Sequence, residues 1–587
     1  MTRSRIRLDP SSLTAAIALA VAAALANGIW ILLDHSNPSW DQAHYLSTVL
    51  QYRDAFHAGG PIELLHSIDR ADPSHGPFFT IVLLPALSIF GASNRSGLLV
   101  NLLAAPILYL AAGEIAYVLF RNGFARLLTI FLVATTPILV GLFHNVLQDF
   151  LLVTLTTLSL LLLLKSEGFR RRWITWAMAL TMGLGTLTKV TFPLFVVGPF
   201  LVILAEVAYG AINTRRRPAE EGEEAGLRPV LLNLGGAALV YLVVALVWYG
   251  PNFSETLDYV RSTTGGPLSL GAGPSDPYTF HAVTSFTLGA INFNLSWVIV
   301  LVGIAAVLLS WSRLRSLFQK PVDPAPLWKL AFLLAWALIP YLSVALAHNQ
   351  DVRLMAPAFP AVAVLVAGAL SAVPKPQWRL ALAAVAVVVL GYQTLTHIAD
   401  VAPGSMPDRL RISASTYEAT IPLDSEPIGY EKLPSSDYVT PIFEYIEKLA
   451  ARGGGDPGIG TICLLESEPL INSNTFGFMS AARGDAFGFA DVVQGPTGTA
   501  AELEGILSGC NFALYTRPPK PTPESDESRL TLVNEPYAAS HMTRSMFRLF
   551  EGPTRVFPVA PDSATKGEAD FQGTAGGIQV RVLTRTP

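Results

Sequence analysis

Cysteine is nearly missing from this sequence: there are two, Cys463 and Cys510, both in the last third. A zinc or iron–sulfur centre built on cysteine is therefore excluded, and any metal would rest on carboxylates or histidines. Charge is scarce as well. Lys, Arg, Asp and Glu together make up 14% of the 587 residues, and 51% are hydrophobic, whereas a soluble domain carries about 25% charged residues. A soluble chain is excluded, and the mean hydropathy of +0.44 needs several long apolar runs rather than one anchor. The formal net charge is -4, and no basic stripe interleaved with aromatics occurs, so nucleic acid is excluded as a partner. No internal repeat is evident at any simple period.

What is present is a succession of apolar runs, near residues 13–33, 98–120, 127–143, 150–164, 174–188, 191–209, 229–249, 286–310, 327–347, 354–373 and 380–398. Most are close to the ~20 residues that cross a bilayer as a helix, and the shortest, 150–164 and 174–188, fall a little under that. The first follows Arg3, Arg5 and Arg7; it is too long for the core of a signal peptide and is taken as a span. A further run, 77–90, is short and holds two prolines, which suits an interfacial or re-entrant segment.

Basic residues collect on the cytoplasmic side of a membrane protein. The rich connectors are 121–126, 165–172, 215–228, 313–320 and 375–379, and all of them share a side with the N-terminus only if 77–90 does not cross. This predicts a mostly α polytopic membrane protein of about 11 transmembrane helices over residues 1–400, with a cytoplasmic N-terminus and a first outer loop at 34–96. The remainder, 401–587, is more polar and is expected to form a soluble α/β domain on the periplasmic or extracellular side. An amphipathic helix is expected at 436–451, with β-like runs at 459–465 and 511–515. Both cysteines then lie in a compartment that permits a disulfide, and pairing is the expected state.

In this topology Asp41, His44, Tyr45, His75, Asp149, Lys189, His348, Asp351 and Arg353 all fall on outer loops or outer helix ends. Ionisable groups at membrane depth are costly and mark function. A transporter would gather its ligands near the midplane in repeated broken helices, whereas this polar set gathers on one face. A carboxylate near cations suits a transfer in which Asp deprotonates an acceptor hydroxyl while Lys or Arg holds a departing phosphate. Taken singly, each residue also has a plain reading: a solvated loop acid, or a basic anchor at a helix end. Glu114 and Glu206, toward the cytoplasmic ends of their spans, are expected to be structural.

The string Trp40-Asp41-Gln42-Ala43-His44-Tyr45 resembles the Asp-Glu-x-x-Tyr signature of the GT-C superfamily glycosyltransferases, which include the protein O-mannosyltransferases and the aminoarabinose transferase of lipid A. Asp72-Pro73-Ser74-His75-Gly76-Pro77-Phe78-Phe79 is similar to that family's His-Pro-Pro-Leu-Tyr segment, and Phe90-Gly91 to the Phe-Gly after it. Gln148-Asp149-Phe150-Leu151 is similar to the second acidic motif. Gly183-Leu184-Gly185-Thr186-Leu187-Thr188-Lys189 is similar to Gly-Leu-x-x-Leu-Thr-Lys, and Arg353-Leu354-Met355-Ala356-Pro357 to the late Arg-Tyr-Leu-Leu-Pro element. Order and spacing agree over residues 13–375. The departures are Gln42 for an acid, Gly76 for a proline, Leu354 for a tyrosine, and Arg95 as an ill-aligned stand-in for the arginine after Phe-Gly.

The resemblance implies a transferase that moves a hexosyl or pentosyl group from a polyprenyl-phosphate sugar donor to a lipid, glycan or protein acceptor, with inversion, on the outer face of the cell (inner or plasma) membrane. It implies Asp41 as general base and Asp149 as a second carboxylate that orients the acceptor or a metal. Lys189 and Arg353, helped by His348, would bind the lipid phosphate, and Tyr45, His44 and His75 would shape the substrate site. No cofactor is implied with certainty, and a divalent metal is left open by Gln42. Two other readings stay open at this point: a transporter or flippase of lipid-linked sugars, and a non-catalytic relative.

Overall fold

The computed structural model describes residues 10–215, 227–264, 274, 276–316, 324–399, 409–414, 417–422, 437, 439–452, 459–464, 472–484, 486–491, 509–517, 555–559 and 578–584. Helices dominate. In order they are α1 (Pro10–Leu33), α2 (Trp40–Arg70), α3 (Phe78–Phe90), α4 (Asn94–Phe120), α5 (Gly123–Ala134), α6 (Pro137–Phe143), α7 (Gln148–Lys165), α8 (Arg172–Thr188) and α9 (Phe192–Arg215). There follow α10 (Leu227–Tyr249), α11 (Phe253–Thr264), α12 (Phe280–Gly289), α13 (Trp297–Ser316), α14 (Pro324–Ala345), α15 (Phe359–Ala372) and α16 (Pro376–Ala399). A π-helical segment, Ala290–Leu295, joins α12 to α13, and a 3-10 helix, Val352–Ala358, leads into α15.

The chain is a multi-pass membrane protein. Among the described residues, eight helical stretches are long and apolar enough to cross a bilayer, and ten if each of two bent pairs counts as one span. The bends are 59° between α5 and α6, across the Thr136–Pro137 step, and 98° between the α12 end and α13. The one predicted run outside these ten, 174–188, is α8, whose 17 residues stand at the lower limit for a crossing. α3, the expected non-crossing segment, has 13 residues; at 1.5 Å per residue it spans roughly 20 Å, short of a ~30 Å hydrocarbon core.

The connector 34–96 differs from the expected loop, being largely helical. α2 runs through most of it and breaks at Gly60, whose φ of 69° lies outside the range of ordinary side chains, immediately before Pro61. Gly60 supplies the left-handed turn and Pro61 the fixed φ that starts the second half. The connector 252–285 likewise contains α11 and the start of α12.

Two compact units divide the chain: residues 1–31, 68–82 and 98–431, and residues 32–67, 83–97 and 432–587. In the first, α7 packs on α8, α9 and the 3-10 helix, and α14 on α9. Buried Arg126 of α5 pairs with Glu114 of α4 at 2.9 Å, lies 3.7 Å over the Tyr117 ring, and donates to Ser12. Glu114 is thereby neutralised, which is the structural role expected for it. Glu206 lies within electrostatic reach of Lys329. A hairpin of β1 (Arg409–Ala414) and β2 (Tyr417–Pro422) belongs to this unit.

The second unit holds a five-stranded sheet in the order β4-β3-β5-β7-β6, from β3 (Ile459–Leu464), β4 (Ala486–Asp491), β5 (Phe512–Arg517), β6 (Arg555–Val559) and β7 (Ile578–Thr584). β3 is parallel to β4 and β5, and β7 antiparallel to β5 and β6. Helices α17 (Thr440–Arg452) and α18 (Ser473–Arg483) bury Ile442, Phe443, Ile446, Phe476 and Met479. The expected helix and both expected strands are present, and Cys463 of β3 is bonded to Cys510 just before β5. The segment after α1 joins this unit: Asn37 donates to Asp437, which caps α17, and Thr475 Oγ1 donates to the Pro38 carbonyl at 3.0 Å.

Candidate active site

α7 and α8 are nearly equal in length and joined by the short turn 166–171, so antiparallel packing returns the end of α8 to the start of α7. Asp149 lies in the first turn of α7, where the helix dipole favours a negative charge. Lys189 is the extended residue that ends α8, and its Nζ donates to Asp149 Oδ1 at 2.7 Å. Asp149 is 2% exposed, so the pair is a buried one whose members depend on each other.

The segment just before α7 is held by one amide and by ring contacts. Asn101 of α4 donates through Nδ2 to the carbonyls of Leu142, Phe143 and Asn145, at 3.3, 3.1 and 2.9 Å, absorbing acceptors that the end of α6 leaves over. His144 stacks on Trp30 with ring centroids 4.3 Å apart, and Phe143 meets Phe150 edge to face.

Arg353 stands in the 3-10 helix that packs on α7 and α14. Asp351 caps this helix, accepting from the Arg353 backbone N–H at 3.0 Å, and its other carboxylate oxygen pairs with Arg353 Nε at 2.9 Å. Asn349 donates to the Thr263 carbonyl, which ties the preceding turn to α11. His348 is exposed in that turn and takes no part in these ion pairs.

His75 Nδ1 lies 3.1 Å from both oxygens of Asp72, and Ser74 Oγ donates to Asp72 at 2.8 Å. α11 and the residue before it cover this loop: Asn252 donates to Asp69, Thr256 approaches the Pro73 carbonyl, and the Tyr259 ring meets His75 edge to face at 4.5 Å. On its other side Gly76 lies against α8, where an added Cβ would stand 2.2 Å from the Leu187 carbonyl oxygen. A glycine at this place, where the resembled motif has proline, follows from that approach two residues before Lys189. Gly76→Ala is expected to cost about 1–3 kcal/mol, because the obstacle is backbone and cannot rotate away. Thermal unfolding in detergent checks this, and an unchanged midpoint would refute it.

In the second unit, Asp41 occupies the first turn of α2 and is half-buried. Gln42 donates to Ser39 Oγ at 3.0 Å, a local helix-start contact in place of the second acid. His44 and buried Tyr45 meet edge to face, with centroids 5.8 Å apart. Arg95 is held by the carbonyls of Leu32 and Asp34 and by His35, and buried Asp34 accepts from Ser36 and Asn94. For a divalent cation, Asp72 and His75 offer two donors of the first unit within 3.1 Å of each other, and Asp41 is the one carboxylate of the Trp40–Tyr45 string. Asp72 and Asp351, the partners of His75 and Arg353, stood two or three residues away in the sequence. The role of Asn101 left no local signal.

Residues 74–218 match the family described as dolichyl-phosphate-mannose-protein mannosyltransferase. Among solved structures, the ArnT of Cupriavidus metallidurans bound to undecaprenyl phosphate aligns over 96% of this chain and 97% of its own, at 12% identity and a TM-score of 0.50. The apo oligosaccharyltransferase of Archaeoglobus fulgidus aligns over 85% of this chain and 69% of its own, at 14% identity and a TM-score of 0.51. The chain has the GT-C fold. No curated protein matches it in sequence. The family match begins in the His75 loop and runs through Asp149 and Lys189, so the buried ion pair of these two residues lies inside it.

Proposed function

We propose that the chain is an inverting membrane glycosyltransferase that transfers a hexosyl or pentosyl group from a polyprenyl-phosphate carrier to a lipid, glycan or protein acceptor. The buried Asp149–Lys189 pair carries the reading. It sets a carboxylate and a cation side by side at the meeting of two helix ends, and Arg353 stands on a neighbouring packed element. Lys189 and Arg353 take the carrier phosphate, with His348 at the exposed rim, and Asp149 orients the acceptor. Asp41, on its own helix start, receives the acceptor proton, while His44, Tyr45 and His75 shape the substrate site. The undecaprenyl phosphate bound by the Cupriavidus ArnT supports the choice of carrier.

The membrane is the cell's inner or plasma membrane, the N-terminus is cytoplasmic, and the expected 401–587 domain, of which 432–587 fall in the second unit, is an α/β domain outside. The Cys463–Cys510 disulfide supports that side, since reducing cytosol disfavours such bonds. Purified protein in vesicles, given radiolabelled undecaprenyl-phosphate sugars and extracted membrane acceptors, is expected to label an acceptor. Broken helices also suit a carrier of lipid-linked sugars. Movement of the labelled lipid across the vesicle wall with no transfer to any acceptor would replace this proposal by that one.

A further inference from the structure

The sharper of the two helix breaks among the described residues is at the π-helical segment Ala290–Leu295, which ends at Ser296 with a φ of 76° before α13 turns away. Single π turns inside helices are frequent at functional sites, and irregular backbone at membrane depth is tolerated where protein or a polar cavity receives it. The segment carries two buried amides in otherwise apolar sequence, Asn292 and Asn294. Asn292 is used internally, accepting from the Trp297 indole N–H at 2.7 Å. Asn294 is not. It is 0% exposed, and neither its oxygen nor its nitrogen has a hydrogen-bond partner among the described residues. A carboxamide offers two donors and an acceptor, and natural interiors rarely leave all of them idle.

The segment packs on α6, and α6 in turn packs on α7 and on the 3-10 helix, which carry Asp149 and Arg353. An uncharged group with both donor and acceptor is matched by a hydroxyl, whereas a phosphate would call for cations such as Lys189. Resting on the glycosyltransferase reading above, we propose that Asn294 reads a ring hydroxyl of the transferred sugar and so sets donor specificity. The hydroxyl donates to the amide oxygen or accepts from the amide N–H, leaving carrier recognition to the cationic residues.

The test uses the undecaprenyl-phosphate hexose or pentose that the wild-type protein turns over, its monodeoxy analogues, and bare undecaprenyl phosphate. Wild type is expected to lose about tenfold or more in kcat/KM with the analogue lacking the hydroxyl that Asn294 reads. Asn294→Leu should lose a similar factor with the intact donor and show almost no further loss with that analogue, while its Kd for bare undecaprenyl phosphate stays at the wild-type value. Asn294→Asp, which keeps the shape and the acceptor, serves as a second variant if the leucine change prevents folding. Equal penalties in wild type and variants at every deoxy position would overturn the proposal and leave Asn294 as a structural group. Failure of wild type to use any undecaprenyl-phosphate sugar, by contrast, would overturn the glycosyltransferase reading together with it.

Discussion

Asp41→Asn is expected to lower turnover by roughly 10² to 10⁴ while leaving the fold and donor binding close to wild type. Removal of a general base typically has that effect on rate. The two side chains have the same shape, and Asp41 is only half-buried in the first turn of α2. Part of what the fold loses is the favourable interaction of a carboxylate with a helix N-terminus, about 0.3–1 kcal/mol, and Asn keeps the oxygen and the shape for local contacts. Gln42 makes the result informative: it is already a neutral amide engaged with Ser39, so it cannot stand in as a base. The measurement pairs transfer from a radiolabelled polyprenyl-phosphate sugar in reconstituted vesicles with separate donor binding. Near wild-type turnover would remove Asp41 from this role and pass it to Asp149.

The membrane helices were legible because their signals are long, runs of about 20 apolar residues. α17, β3 and β5 were legible from short periodic patterns, and the Cys463–Cys510 bond from there being just two cysteines in one stretch of chain. α2 and α11 were not, since Gly60-Pro61 and the Gly- and Pro-rich flank of α11 read as loop although the residues between them have helical spacing. The polar residues of the candidate site could be named, but their partners depend on which helix ends meet. Lys189 and Asp149 are 40 residues apart in sequence, and only the antiparallel return of α8 along α7 joins them. Asn101 is a sharper case, because one amide on α4 holds three carbonyls some forty residues ahead and nothing around it in the sequence announces the fact.

The joined pair turns a simple charge-removal test into one that separates support of the fold from work on the donor. Lys189→Ala is expected to do two kinds of damage. It strands the Asp149 carboxylate, 2% exposed, without its counter-charge, a loss of about 3–5 kcal/mol for a buried pair broken on one side. It also removes a charge-assisted contact from the donor phosphate, about 1.5–3 kcal/mol or roughly ten- to a hundredfold in affinity. Removing both charges while keeping volume, as in Lys189→Met with Asp149→Asn, should restore the melting temperature, because replacing a buried pair by neutral groups of similar size is often without cost. Turnover and donor affinity should stay low in that double variant, and Arg353→Ala should weaken donor binding with a smaller effect on stability, since the Arg353–Asp351 pair is more exposed. Circular-dichroism melts in detergent and binding of undecaprenyl phosphate, measured on the same preparations, decide the matter. A double variant that regained its stability and its turnover together would show that Lys189 and Asp149 serve the fold alone, and the phosphate site would have to be sought around Arg353.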